Sequence, residues 1–152
     1  MTTSSADTAA LAAFRDFLMI PSISNGGAEN GSYGACATFI RQQLAAANIS
    51  DITTLEPVRN KPIIIATIPG TEPQLPCVIL NSHYDVVPMM REHWSFDPFA
   101  ATVHDGGYVQ DSPYVLENHR DAGPVVVGRG AQDMKCVVVQ YLHAIRRLKT
   151  RP

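Results

Sequence analysis

Three short apolar runs rich in β-branched residues lie in the middle of the chain, between stretches where apolar residues recur at helical spacing. The runs cover residues 52–55, 62–68 and 77–80, and turns containing proline and glycine separate them. Runs of this kind favour β-strands. The second and third are joined by a short link and are apolar almost throughout. We therefore expect them to be antiparallel neighbours that are buried on both faces beneath helices.

The helical spacing of apolar residues predicts three helices, at residues 8–19, at about 33–48 and at 134–148. The third has the clearest pattern, because its apolar residues are spaced three and four apart from Met134 to Leu148. A further pair of strands is predicted around 101–104 and 108–109. Together these elements predict an α/β fold with a mixed β-sheet flanked by helices.

Length and composition indicate one globular domain. The chain has 152 residues, of which 45% are hydrophobic and 17% charged. Compact domains commonly have ~100–200 residues, and this balance differs from that of disordered proteins. A formal charge of -2 provides no electrostatic attraction to nucleic acid. No apolar run is long enough to cross a bilayer, so neither nucleic acid nor a membrane is predicted as a partner.

The cysteines and the first residues indicate the compartment. Cys36, Cys77 and Cys136 are odd in number, far apart and without Cys-x-x-Cys spacing, so neither a disulfide framework nor a structural zinc knot is predicted. The start of the chain lacks the basic and apolar regions of a signal peptide, and we expect a cytoplasmic protein. The basic residues near the end are interpreted as a helix C-terminal turn that complements the helix dipole: Arg146, Arg147, Lys149 and Arg151.

The first candidate site follows the third apolar run directly. In open α/β sheets, ligands gather beyond the carboxyl ends of strands, where side chains leave the core while the backbone stays rigid. His83 can present a neutral imidazole to zinc, and Asp85 is placed to fix the tautomer of that ring. A lone histidine at a strand end is more often a hydrogen-bonded structural residue, so both interpretations stay open on these residues alone.

The second candidate site is the glycine-rich segment Gly128–Lys135, which leads into the third predicted helix. Asp133 stands at the helix start, where a carboxylate is also a favourable N-terminal cap. A phosphate-binding loop is less favoured, because the third glycine of that motif is missing and Asp133 would repel an anion. A metal pair ~3.5–4 Å apart needs one bridging carboxylate and separate ligands for each ion. His83 and Asp133 would begin such a set.

Three blocks in this order resemble a known family: Ile79–Pro88, Glu92–Phe99 and Gly128–Cys136. They resemble the co-catalytic zinc metallopeptidase family, and within it the aminoacylases. Residues 18–23 before them and 140–148 after them agree with the same pattern. The resemblance implies a partial zinc-peptidase-like catalytic domain. It also implies a hydrolase that cleaves the amide bond of an N-acyl-L-amino acid with two Zn²⁺ per complete site.

Residue by residue, the resemblance makes His83 a ligand of one zinc and Asp85 the catalytic-site carboxylate that orients it. It makes Asp133 the carboxylate that bridges both ions, and it implies a cis peptide bond between Asp133 and Met134. Four further residues match the pattern and are interpreted as support for the helix start and as packing at the rim: Arg129, Lys135, His93 and Trp94.

The resemblance covers nearly the whole chain, but only the beginning of the family's catalytic domain. We expect the general-base glutamate, the remaining ligands and the lid domain through which relatives form homodimers to lie outside these 152 residues. The chain alone is therefore expected to be inactive. The alternative hypothesis is a noncatalytic truncated product that binds a partner, such as a full-length subunit.

Residues 110–127 look inserted relative to the family. They include Glu117, His119 and Asp121, which have the side-chain types of metal ligands. A surface loop rich in proline, aspartate and asparagine explains these residues more simply than replacement ligands do.

Overall fold

The structure is a computed structural model that describes residues 5–104 and 124–149. These residues form three α-helices and one short 3₁₀ helix, Arg91–His93. Helix α1 spans Ser5–Leu18, α2 spans Ser32–Ala46, and α3 spans Lys135–Lys149. Each lies where the apolar spacing predicts a helix, with ends shifted by a few residues. Within the described ranges, no helix combines the length and apolar character needed to cross a membrane.

The apolar faces of the helices meet in one core. Phe17 of α1 stacks on Phe39 of α2, with ring centroids 4.7 Å apart, and α1 also packs against α3. Burial of a large apolar side chain stabilises a fold by ~1.5–3 kcal/mol. The buried members of this core are Phe17, Cys36, Leu44, Ala47, Ile49, Val138, Val139 and Leu142.

The strands of the described residues form two separate antiparallel pairs instead of one mixed sheet. Strand β1, Ile52–Leu55, pairs with β2, Ile63–Ala66. Strand β3, Thr102–His104, pairs with β4, Val125–Val127. An α/β architecture is therefore confirmed, whereas a single mixed sheet is not what this part of the chain forms. The described residues also contain one isolated parallel bridge, between Ile23 and Val86, outside the named strands.

The prediction of a buried strand at residues 77–80 is wrong. This segment forms no strand, and Val78 and Ile79 are 87% and 81% exposed. Strand β2 pairs with β1 instead, and its Ile63 and Ile65 are also largely exposed. An apolar run becomes a buried strand only where a neighbouring strand and a covering layer are present. The described residues provide neither for this run.

The predicted strand at 108–109 lies outside the described residues, as do Glu117, His119 and Asp121. The last residues of the segment interpreted as an insertion, Val125–Val127, form β4 and continue the sheet from β3. This pairing brings the chain back to the glycine-rich segment before α3.

The basic residues of α3 stabilise a neighbouring helix. Arg146 donates to the backbone and side-chain oxygens of Gln43, each at 3.0 Å. Lys149 donates to the carbonyls of Ala47 and Asn48 at 3.2 and 2.7 Å. These oxygens lie in the last turn of α2 and just after it, at the negative end of the helix dipole. The positive charges therefore complement the dipole of α2, beyond the effect on their own helix that the sequence predicts.

Candidate functional site

The imidazole of His83 lies between two carboxylates. Its Nδ1 is 3.1 Å from Oδ1 of Asp85, and its Nε2 is 3.1 Å from Oδ1 of Asp133. The side chains of His83, Asp85 and Asp133 are 48%, 41% and 74% exposed, respectively. Ion pairs this exposed contribute only ~0–1 kcal/mol to stability. The arrangement is therefore not explained by a need for stability.

The segment that carries His83 and Asp85 is extended and anchored by the residues that alternate with them. Tyr84 packs against the core and donates from its hydroxyl to the carbonyl of Pro62 at 2.6 Å. Burial raises the pKa of Tyr84 to about 12, so the phenol keeps the proton that it donates. Val86 is almost fully buried. Successive side chains of an extended segment point to opposite sides, so His83 and Asp85 point towards the surface while Tyr84 and Val86 point inwards.

A second segment, Ser22–Ser24, fastens this one. The backbone N–H of Ser24 donates to the carbonyl of Val86 at 2.9 Å, and the N–H of Val86 donates to the carbonyl of Ser22 at 2.8 Å. The hydroxyl of Ser24 lies 3.0 Å from Oδ2 of Asp85. Sequence reasoning missed Ser24. The only signal was an alternation of serines at 22 and 24, which many loops share.

The loop before α3 brings Asp133 to His83. Gly130 has a φ of 87°, and a Cβ atom there would lie 2.6 Å from Cγ1 of Val86. Glycine is therefore required for the close approach of this loop to the His83 segment. The peptide bond between Asp133 and Met134 is cis, which confirms that expectation. The carboxylate of Asp133, which the sequence left open as a helix cap, faces His83.

Lys135 begins α3 two residues after Asp133 and is fully buried. Its Nζ donates to the carbonyls of Phe17 and Ile20 at 2.9 and 2.6 Å, and it lies 4.9 Å from the centroid of the Phe17 ring. Burial lowers the pKa of Lys135 to about 8. These contacts tie the first turn of α3 to the end of α1, in agreement with the interpretation of Lys135 as support for the helix start.

Arg129 and Trp94 pack against each other at the same end of the molecule. The guanidinium carbon of Arg129 lies 5.0 Å from the centroid of the Trp94 ring, in a cation–π contact. The backbone N–H of Arg129 donates to the carbonyl of Pro98 at 2.7 Å. These two contacts of Arg129 fix the start of the glycine-rich loop.

The donor atoms of His83 and Asp133 fit a shared zinc ion. Two ligands of one tetrahedral zinc, each ~2.0–2.1 Å from the metal, lie roughly 3.3 Å apart. The observed separation of Nε2 and Oδ1 is 3.1 Å. A neutral imidazole has a single proton and cannot donate to two carboxylates at once. A cation between Nε2 and Asp133 would satisfy both carboxylates, as would a second proton on the ring.

The described residues do not form a complete metal site. Over the two described ranges, no group of three or more His, Cys, Asp or Glu side chains is placed to hold a metal ion. Structural and catalytic zinc sites have at least three protein ligands. His83 and Asp133 therefore fit two positions of a larger set.

Comparison with known proteins shows a similarity that includes this site. Residues 79–152 match the family model described as Peptidase family M20/M25/M40. The matched stretch contains His83, Asp85 and Asp133, but not the Ser22–Ser24 segment that fastens them.

Several curated proteins that resemble this chain are aminoacylases. The chain is 38% identical to aminoacylase-1 of Sus scrofa over 136 residues, which is 90% of this chain and 28% of that protein. It is 38% identical to aminoacylase-1 of Mus musculus over 137 residues, with the same two shares. With aminoacylase-1 of Dictyostelium discoideum it shares 40% identity over 87 residues, 57% of this chain and 17% of that protein. The chain thus spans about 28% of the length of its mammalian relatives.

Proposed function

We propose that this chain supplies His83, Asp85 and Asp133 to the zinc centre of a hydrolase that cleaves the amide bond of N-acyl-L-amino acids. The observation that carries the proposal is the position of the His83 ring between two carboxylates, one of them brought from the loop before α3. The similarity to aminoacylase-1 of pig and mouse supports the substrate class. A small-molecule substrate also agrees with a formal charge of -2, which does not attract nucleic acid.

Each of the three residues has a distinct part in this proposal. Asp85 accepts a hydrogen bond from Nδ1–H, so that the lone pair of Nε2 points away from Asp85 and towards the metal position. Asp133 presents a carboxylate whose two oxygens suit a bridge between two ions. Two zinc ions, when bound, polarise the scissile carbonyl and lower the pKa of a bound water to ~7.

The remaining parts of the reaction are proposed for the longer protein. They are the general base that takes a proton from water, the other metal ligands, and the lid through which the whole protein forms a homodimer. A cytoplasmic location is likewise proposed for the whole protein, from the spacing of its cysteines.

Zinc titration of the 152-residue chain tests the metal assignment. We expect weak binding by isothermal titration calorimetry, and a loss of at least ~10-fold in affinity in His83→Ala and Asp133→Ala, because each removes one donor. His93→Ala is the matched control, since His93 is an exposed histidine of the neighbouring 3₁₀ helix Arg91–His93. Equal losses in all three variants would contradict the assignment.

Incubation with an N-acetylated amino acid and zinc tests whether the rest of the catalytic site lies outside this chain. We expect no turnover by the 152-residue chain, because two metal-facing side chains do not complete a hydrolytic centre. Robust turnover would show that the missing ligands and general base lie within this chain, contrary to the proposal.

A further inference from the structure

The two oxygens of the Asp85 carboxylate face different partners. Oδ1 lies 3.1 Å from Nδ1 of His83, and Oδ2 lies 3.0 Å from the hydroxyl of Ser24. Ser24 lies far before Asp85 in the chain and outside the stretch that matches the peptidase family. A series of close polar contacts therefore runs from Ser24 through Asp85 and His83 to Asp133.

The backbone of Ser24 is held from two sides, so its hydroxyl has a defined position. Its N–H donates to the carbonyl of Val86 at 2.9 Å, beside the parallel bridge between Ile23 and Val86. Its own carbonyl accepts a hydrogen bond from the hydroxyl of Tyr33 at 2.9 Å. Because the backbone of Ser24 is already held, its hydroxyl can orient a neighbouring side chain with little further loss of conformational entropy.

The hydroxyl of Ser24 has a choice of acceptors. It lies 3.0 Å from Oδ2 of Asp85 and also 3.0 Å from the carbonyl oxygen of Val86. A hydroxyl donates one proton, and a charged carboxylate is the stronger acceptor of the two. The backbone N–H of Ser24 already donates to the Val86 carbonyl. The hydroxyl proton therefore goes to Asp85.

We propose that Ser24 is a positioning residue for the metal centre, holding the Asp85 carboxylate so that Nδ1 of His83 keeps its proton. The proposal rests on the proposed function, in which Nε2 of His83 is a zinc ligand. Nδ1 faces two acceptors of Asp85, its Oδ1 and its backbone carbonyl, both at 3.1 Å. Nε2 faces only Oδ1 of Asp133 among the described residues. The neutral ring then carries its proton on Nδ1, which leaves the lone pair of Nε2 for a cation.

Loss of the Ser24 hydroxyl releases one end of the Asp85 carboxylate. The Asp85 side chain is 41% exposed, so water can replace Ser24 and the carboxylate can rotate away from Nδ1. The Nδ1–H tautomer then loses one of its two acceptors. We expect a larger fraction of the Nε2–H tautomer, whose proton occupies the position that a metal needs.

Ser22 provides the matched control for a purely structural effect. Its hydroxyl donates to the carbonyl of Tyr84 at 2.6 Å, so it joins the same two segments without contacting the Asp85 carboxylate. Ser22→Ala should lower the thermal stability of the chain. If Ser24 acts only by joining the segments, then Ser22→Ala and Ser24→Ala will change the His83 ring equally.

The test measures the ring nitrogens of His83 by long-range ¹H–¹⁵N NMR on the metal-free chain, together with zinc affinity. Ser24→Ala is expected to raise the Nε2–H fraction and to weaken zinc binding about 10-fold, the low end of the ~10–100-fold range for groups that orient a ligand. Ser24→Thr, which keeps the hydroxyl, should restore both. Ser22→Ala should leave the tautomer ratio unchanged.

Two results overturn the inference: an unchanged tautomer ratio in Ser24→Ala, or the same change in Ser22→Ala. The proposed function fails in a different way, through the absence of zinc binding by the unsubstituted chain or through equal affinity in His83→Ala. In that case the ring signals of the serine variants still decide whether Ser24 positions Asp85.

Discussion

The side-chain nitrogen of Lys135 lies 2.6 Å from the carbonyl oxygen of Ile20 and 2.9 Å from that of Phe17. Lys135 is fully buried, and the carbonyls that it joins lie in the last turn of α1 and just after it. An ammonium group away from water is stable only where acceptors replace its hydration. This contact couples α1 to the first turn of α3, and through that turn to Asp133.

Lys135→Met should destabilise the chain by about 1–3 kcal/mol, because it removes two hydrogen bonds from a charged donor while keeping most of the apolar stem. The two carbonyls keep one backbone donor each, the N–H of Ile20 and that of Ser22. Urea unfolding followed by circular dichroism measures this change. Lys149→Met is the matched control, since the Lys149 nitrogen also donates to two carbonyls but near the surface. Equal losses of free energy in the two variants would show that burial of Lys135 is not what matters.

Gly130→Ala should destabilise the loop that carries Asp133. Its φ of 87° is unfavourable for alanine, and the added Cβ would lie 2.6 Å from Cγ1 of Val86. We expect a loss of about 1–3 kcal/mol and a weaker affinity for zinc. Gly34→Ala is the control, since Gly34 lies inside α2 with open space around its Cα; there alanine should stabilise by about 0.5–1 kcal/mol. Both free energies are measured by urea unfolding.

The three cysteines should react with iodoacetamide at different rates. Cys77 is exposed, Cys136 is partly buried, and Cys36 is buried in the core. Burial also raises the pKa of Cys36, which lowers its thiolate fraction at any pH below that pKa. Mass spectrometry of the folded chain should show Cys77 modified first and Cys36 modified only in urea. Rapid modification of Cys36 without denaturant would contradict its place in the core.

Ile79→Lys should reduce self-association without destabilising the fold. The side chain of Ile79 is exposed and lies beside exposed Val78 and Leu80, and contiguous apolar surface promotes association. We expect a lower average mass by sedimentation at high concentration, and an unfolding free energy changed by no more than ~0.5 kcal/mol. Val138→Lys, in the buried core, should instead prevent folding. Unfolding of the Ile79→Lys variant would show that the segment is buried.

Local spacing was sufficient to predict the helices. The apolar side chains of α3 recur three and four residues apart, and this short-range pattern specifies both the helix and its buried face. The strand predicted at 77–80 failed for the opposite reason. Its apolar composition is visible in the sequence, but a strand needs hydrogen-bond partners that come from elsewhere in the chain.

The sequence by itself determined the helices, the absence of paired cysteine motifs, and the candidates His83, Asp85 and Asp133, through residue types and blocks that resemble a known family. Their assignment as metal-centre residues stays a prediction. Only the tertiary structure decided that the ring of His83 lies 3.1 Å from both carboxylates, and that Ser24 holds the far oxygen of Asp85. Residue types and spacing are local properties, whereas contacts between distant segments depend on how the packed helices direct the path of the chain.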